Sequence, residues 1–172
     1  GNGSDFGATI TYVEEKEPLG TGGSLSLMKN LLQDYKQFIV MNGDILAQVD
    51  FNDLLKKHNN SNADVTVCTR KYTINIPFGV IQQQNCKIKQ IVEKPDYQYL
   101  VNSGIYVLNY ETLKLLKENE YIDIPIFVNK LIEDGYNTIS YLLNGYWFDI
   151  GNFEQLEQAR NYIEIEIDKR IL

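Results

Sequence analysis

The chain has 172 residues, 44% hydrophobic content and a formal net charge of -7, with a pI of about 4.7. This length suits one domain with a sizeable core, so residues 1–172 are expected to form a single domain. The hydrophobic content argues against disorder, the acidic balance argues against nucleic acid as a partner, and no apolar run approaches the roughly 20 residues that cross a bilayer.

In chain order, residues 8–13 read as a short strand. The Gly-rich turn Leu19-Gly20-Thr21-Gly22-Gly23 follows, then an amphipathic helix over 24–32 with Leu25, Met28, Leu31 and Leu32 on one face. Phe38-Ile39-Val40-Met41 is wholly apolar, as expected of a buried parallel strand with neighbours on both sides. It stops at Asn42-Gly43-Asp44. Asp50 can cap a helix over 51–58. Residues 63–70 are strand-like, and 78–83 and 86–92 read as a hairpin around Gln84-Asn85. Glu93-Lys94-Pro95 ends it, because proline has no N–H to donate.

A strand over 100–108 is interrupted by Asn102-Ser103-Gly104, and a short helix covers 111–117. Asp123, Pro125 and Gly135 punctuate the start and end of the next helix. A strand over 137–143, a turn at Tyr146-Trp147-Phe148-Asp149-Ile150-Gly151 and a long helix from Phe153 complete the chain. Alternating strands and helices with one inserted hairpin give an α/β domain with a mixed sheet. One strand before the Phe38 run is too few for a central position, so the sheet reads as incomplete on its N-terminal side.

Cys68 and Cys86 lie in strand-like runs without C-x-x-C spacing, which reads as reduced cysteines of a cytoplasmic protein. His58 reads as a solvated residue at a helix end, and so few ligands argue against a structural zinc site. Asp44 follows an apolar strand, where open α/β sheets bind ligands, and a carboxylate there suits a hard cation or a turn cap. Asp149, in a turn before a helix, fits the same two roles. The glycines at 20, 22 and 23 allow close approach of a ligand to free helix N–H groups, or simply a tight turn. Lys94 can neutralise a phosphate and Glu93 can accept from sugar hydroxyls, unless both belong to a surface turn.

The ordered set Glu15-Lys16-Glu17-Pro18-Leu19-Gly20-Thr21-Gly22-Gly23, Asn42-Gly43-Asp44, Phe78-Gly79-Val80-Ile81, Glu93-Lys94-Pro95, Asn102-Ser103-Gly104-Ile105-Tyr106 and Trp147-Phe148-Asp149-Ile150-Gly151 resembles the sugar-1-phosphate nucleotidyltransferase family. The resemblance implies a Rossmann-like domain with a mixed, mostly parallel sheet. It implies a transferase of nucleotide-sugar biosynthesis that joins an NTP to a sugar 1-phosphate, releasing pyrophosphate. By matching motifs, Asp44 and Asp149 would hold Mg2+, and Lys94 would contact the sugar phosphate. Glu93, Gly79 and Asn102 would line the sugar site, while Glu15, Pro18 and Gly20 would flank the base.

Glu15 can only accept hydrogen bonds, and guanine offers N1–H and N2–H together, so GTP is the expected nucleotide. The segment wording is most similar to mannose or heptose-1-phosphate guanylyltransferases; a thymidylyl or uridylyl type is the alternative. The residues contain no Gly-x-Gly-Thr-Arg, with which the family cradles the triphosphate. The expectation is therefore a fragment: the C-terminal part of the complete domain, lacking its first strand–helix units and inactive alone, whose open sheet edge invites homo-oligomer formation. A non-catalytic binding module of the same fold is one rival. A nucleotide-sugar glycosyltransferase is another, weakened because Ile45-Leu46 follows Asp44 where Asp-x-Asp would be needed.

Overall fold

The computed structural model describes residues 1–171, with side chains through Ile165. The strands are β1 (Gln37–Met41), β2 (Ile45–Ala47), β3 (Val65–Asn75), β4 (Val80–Gln84), β5 (Lys87–Val92), β6 (Asp96–Asn109), β7 (Thr138–Leu142) and β8 (Trp147–Asp149). The α-helices are α1 (Gly20–Gly23), α2 (Lys29–Leu32), α3 (Phe51–Asn60), α4 (Ile124–Glu133) and α5 (Phe153–Ile171). One sheet runs β1-β6-β3-β7; β2 and β8 form a second, and β4 and β5 a third. The α/β architecture expected from the sequence is present, with antiparallel pairing in the two small sheets.

The chain divides into two units, one comprising Gly1–Asn42, Phe51–Thr66 and Tyr106–Ile139, the other Gly43–Asp50, Val67–Ile105 and Ser140–Leu172. In the first, Leu54, Val65, Val107, Leu108, Leu113, Phe127 and Leu131 are fully buried. Each of the larger side chains removed from water there contributes about 1.5–3 kcal/mol of burial free energy. Helix α4 follows its punctuation: Asp123 precedes it in extended backbone, Pro125 sits in its first turn and Gly135 follows at φ 83°. His58 is not solvated. It is 1% exposed, with Nδ1 2.8 Å from Thr66 Oγ1 and Nε2 3.2 Å from Asn109 Oδ1. Two polar partners make burial of the imidazole tolerable, and both lie on other elements, Thr66 on β3 and Asn109 at the end of β6.

Several expectations fail for want of a local signal. Residues 8–13 form no strand and are mostly exposed. Helical structure begins at Gly20, not after the glycines, and continues through a 3-10 stretch, Ser24–Met28, into α2. Leu31 is 51% exposed and leaves the buried stripe. The segment after β6 is a 3-10 helix, Tyr110–Leu115. Strand β1 is an edge strand with Ile39 and Met41 partly exposed, not a central one.

In the second unit, the hairpin pairs Val80 with Val92 and Ile81 with Ile91, and its turn is Asn85-Cys86, one residue later than expected. Both turn residues have positive φ, 49° and 63°, the backbone that two-residue hairpin loops favour. Strand β6 passes without a break through Asn102-Ser103-Gly104, absorbing Gly104 at φ 75°. Residues 147–149 are a strand, not a turn, because β2 supplies a partner: Ile45 faces Asp149, and Ala47 faces Trp147. Tyr162 of α5 packs on Tyr146 and Phe148, with ring centroids 5.1 and 5.4 Å away.

Candidate active site

Asp44 occupies the tight turn between β1 and β2, and its carbonyl accepts the Ile150 N–H at 2.8 Å. Asp149 ends β8 opposite Ile45. One ladder step therefore separates two residues that are 105 positions apart in sequence. Both residues are exposed, and neither carboxylate has a hydrogen-bond or ion-pair partner among the described residues.

The capping role open to Asp149 is filled by another residue. Asn152 Oδ1 accepts the Gln155 N–H at 2.9 Å at the start of α5, and Gln155 Oε1 accepts the Gly151 N–H at 3.0 Å. Those bonds satisfy helix-end donors that would otherwise lack partners. The signal is local: Asn152-x-x-Gln155 is a helix-start pattern in the sequence.

Gly79 and Glu93 lie together across the base of the hairpin. A Cβ built at Gly79 would stand 3.0 Å from Glu93 Oε2 and 3.3 Å from the Ile91 side chain, so glycine leaves the space this carboxylate occupies. Lys94 follows at φ 44°, a left-handed backbone that costs a lysine energy and turns the chain sharply between β5 and β6. It makes no ion pair among the described residues. Asn102 Oδ1 accepts the Gly104 N–H at 3.0 Å, which shapes the positive-φ step in β6. Asp44, Gly79, Glu93, Lys94, Asn102 and Asp149 all belong to the second unit.

Glu15, Pro18 and Gly20 belong to the first unit. Four N–H groups of the Gly-rich segment are engaged within the chain, as the tight-turn reading requires. Leu19 N–H donates to Glu15 Oε2 at 3.1 Å, Thr21 N–H to Asp123 Oδ1 at 3.2 Å, and Gly22 and Gly23 N–H to Ile122 O at 2.8 and 2.9 Å. Thr21 Oγ1 accepts the Ile124 N–H at 3.0 Å, so Thr21 caps α4 in place of Asp123. A Cβ at Gly20, Gly22 or Gly23 would meet backbone or side-chain oxygens of residues 120–123 at 2.8, 3.0 and 2.4 Å. The glycines therefore admit a neighbouring stretch of this chain. Thr21 and Asp123 had no sequence signal for this pairing, being 102 positions apart.

The two cysteines are free thiols, Cys68 buried and Cys86 exposed in the hairpin turn. Burial pushes the Cys68 thiol up to about 12, which removes it as a nucleophile near neutral pH. No group of three or more His, Cys, Asp or Glu side chains among the described residues could hold a metal. No helix among them is long and apolar enough to cross a membrane.

Residues 1–166 match the family model described as Nucleotidyl transferase. The mannose-1-phosphate guanyltransferase of Yarrowia lipolytica is 33% identical over 153 residues, covering 85% of this chain and 41% of that protein. The probable mannose-1-phosphate guanylyltransferase 3 of Oryza sativa is 32% identical over 164 residues, covering 92% and 44%. The chain thus spans less than half the length of these curated relatives. Among solved structures, one from Bacillus anthracis assigned as a glucose-1-phosphate thymidylyltransferase, in complex with a sucrose, has a TM-score of 0.70 at 24% identity, covering 94% of this chain and 68% of that one. HddC from Yersinia pseudotuberculosis has a TM-score of 0.67 at 21% identity, covering 91% and 68%. These structures share the fold. With a family match across almost its whole length, the chain belongs to the nucleotidyl transferase family.

Proposed function

We propose that these residues carry the metal and sugar-phosphate part of a site that transfers a nucleotidyl group from GTP to a sugar 1-phosphate, giving an NDP-sugar and pyrophosphate. The observation that carries this reading is the adjacency of Asp44 and Asp149, with the capping role beside Asp149 filled by Asn152. Two exposed carboxylates are a hard, all-oxygen donor set. Mg2+ favours one or two carboxylates completed by substrate phosphates and water, so the set fits Mg2+ and is too small for a closed protein cage.

Asp44 and Asp149 would hold Mg2+, whose chemistry there is neutralisation of charge on phosphate oxygens. Lys94 would set an ammonium at the sugar phosphate, and Glu93, Gly79 and Asn102 would orient the sugar. Nucleotidyl transfer depends on such positioning and charge neutralisation, so a nucleophilic side chain is not required. Pro18 and Gly20 would flank the base beside Glu15. Glu15 Oε2 is engaged by Leu19 N–H, and its second oxygen is the one proposed to accept from guanine. The guanylyltransferase names of the curated relatives support GTP over dTTP or UTP. Two free thiols support a cytoplasmic setting. The partly exposed edge strand β1 supports self-association as a homo-oligomer.

The test is pyrophosphate release from GTP and mannose 1-phosphate by the longest natural polypeptide containing these residues. Asp44→Asn and Asp149→Asn should each lower the rate by about a hundredfold or more. Full activity in either variant would remove that residue from the proposed metal site. The 172-residue chain has no Gly-x-Gly-Thr-Arg and is proposed to be inactive alone.

A further inference from the structure

We propose that Arg70 is a positioning residue for Asp149, acting through Trp147; the inference rests on the metal role proposed above for Asp149. Strand β8 has three residues and one ladder partner, β2, so its ladder supplies few of the bonds that fix the strand. Trp147, two positions before Asp149, supplies others. The Arg70 guanidinium carbon lies 4.8 Å from the Trp147 ring centroid, and Nη1 donates to the Trp147 carbonyl at 3.2 Å. The indole Nε1–H donates to Ser103 O at 2.8 Å, and Ser103 Oγ donates to Cys68 O at 2.8 Å. Cys68 is two residues before Arg70 on β3, so these contacts close a circuit: β3 to β8, β8 to β6, and β6 back to β3.

Charge is the second argument. The chain carries 23 Asp and Glu against 16 Lys and Arg, yet Arg70 makes no ion pair among the described residues. Its cation faces a ring and a carbonyl of one residue instead. A planar guanidinium can stack and donate at once, which an ammonium cannot reproduce. Residues that orient metal ligands without touching the ion typically change metal affinity by about 10–100-fold when replaced.

The test is Mn2+ binding by the 172-residue chain, read from the loss of the free-ion EPR signal. Asp149→Asn should abolish measurable binding. Arg70→Met and Arg70→Lys should each weaken it about tenfold, and Lys71→Met, on the same strand, should leave it unchanged. If both Arg70 variants bind as tightly as the unaltered chain while Asp149→Asn does not, the positioning role is wrong and the metal role stands. If Asp149→Asn also binds normally, the metal role is wrong and this inference falls with it. Should the Arg70 variants fail to fold, the single tryptophan decides. Mg2+ should shift Trp147 emission in the unaltered chain and leave it unmoved in Asp149→Asn; no shift in the former would overturn the coupling.

Discussion

Residues 15–23 and the positions of Asp44 and Asp149 each read in sequence as a ligand site or an ordinary turn or cap, yet they use their polar groups in opposite ways. In the first, the N–H groups of Leu19, Thr21, Gly22 and Gly23 all donate within the chain, and the glycines admit residues 120–123. In the second, the backbone is satisfied by strand pairing while the carboxylates of Asp44 and Asp149 lack partners among the described residues. Glycine content marks a place where something comes close; it does not say whether a ligand or another part of the same chain comes close. Unpartnered carboxylates beside a satisfied backbone are the stronger sign of an exogenous partner.

The largest effect that would sharpen this contrast is in the Gly-rich segment. Gly23→Ala places a Cβ where Glu120 O stands 2.4 Å away, and backbone cannot yield as a flexible side chain can. It should destabilise the protein by about 3 kcal/mol, read as a lower midpoint in urea. An unchanged midpoint would show that the segment relaxes freely. Next, Thr21→Val removes the cap on the Ile124 N–H and Asn152→Ala the cap on the Gln155 N–H. Each should cost about 1 kcal/mol.

Asp149→Asn should, by contrast, change stability by less than about 0.5 kcal/mol, the range of an exposed substitution without a structural partner. A loss of 1 kcal/mol or more would return Asp149 to a structural role and erase the contrast. Glu15→Gln keeps an oxygen for the Leu19 N–H, so thermal stability should hold, while the proposed base contact requires nucleotide preference to move away from GTP. A panel of nucleotides checks it.

The last effect concerns Cys68 and needs alkaline pH. Burial holds its folded thiol at about 12, above an ordinary value of 9.0. The unfolded thiol ionises first, so the contribution to stability is complete below pH 9 and declines between 9 and 12 as pH rises. At pH 8, iodoacetamide should modify Cys86 in the folded chain and reach Cys68 after denaturation.

The sequence by itself determined what is written in near neighbours. Pro125 and Gly135 mark the limits of α4, because a missing N–H group and a positive φ act over a few residues. The order of short motifs likewise carried the family, and the alternation of apolar runs carried the α/β class. Tertiary structure alone decided the rest. His58 is buried because Thr66 and Asn109 reach its two nitrogens, Trp147-Phe148-Asp149 is a strand because β2 offers its edge, and Thr21 caps a helix that starts 103 residues later. In each case the deciding hydrogen bond joins groups on different elements, which no periodicity within one element can reveal. The two aspartates show both sides: sequence marks each as a candidate, and only the ladder makes them neighbours.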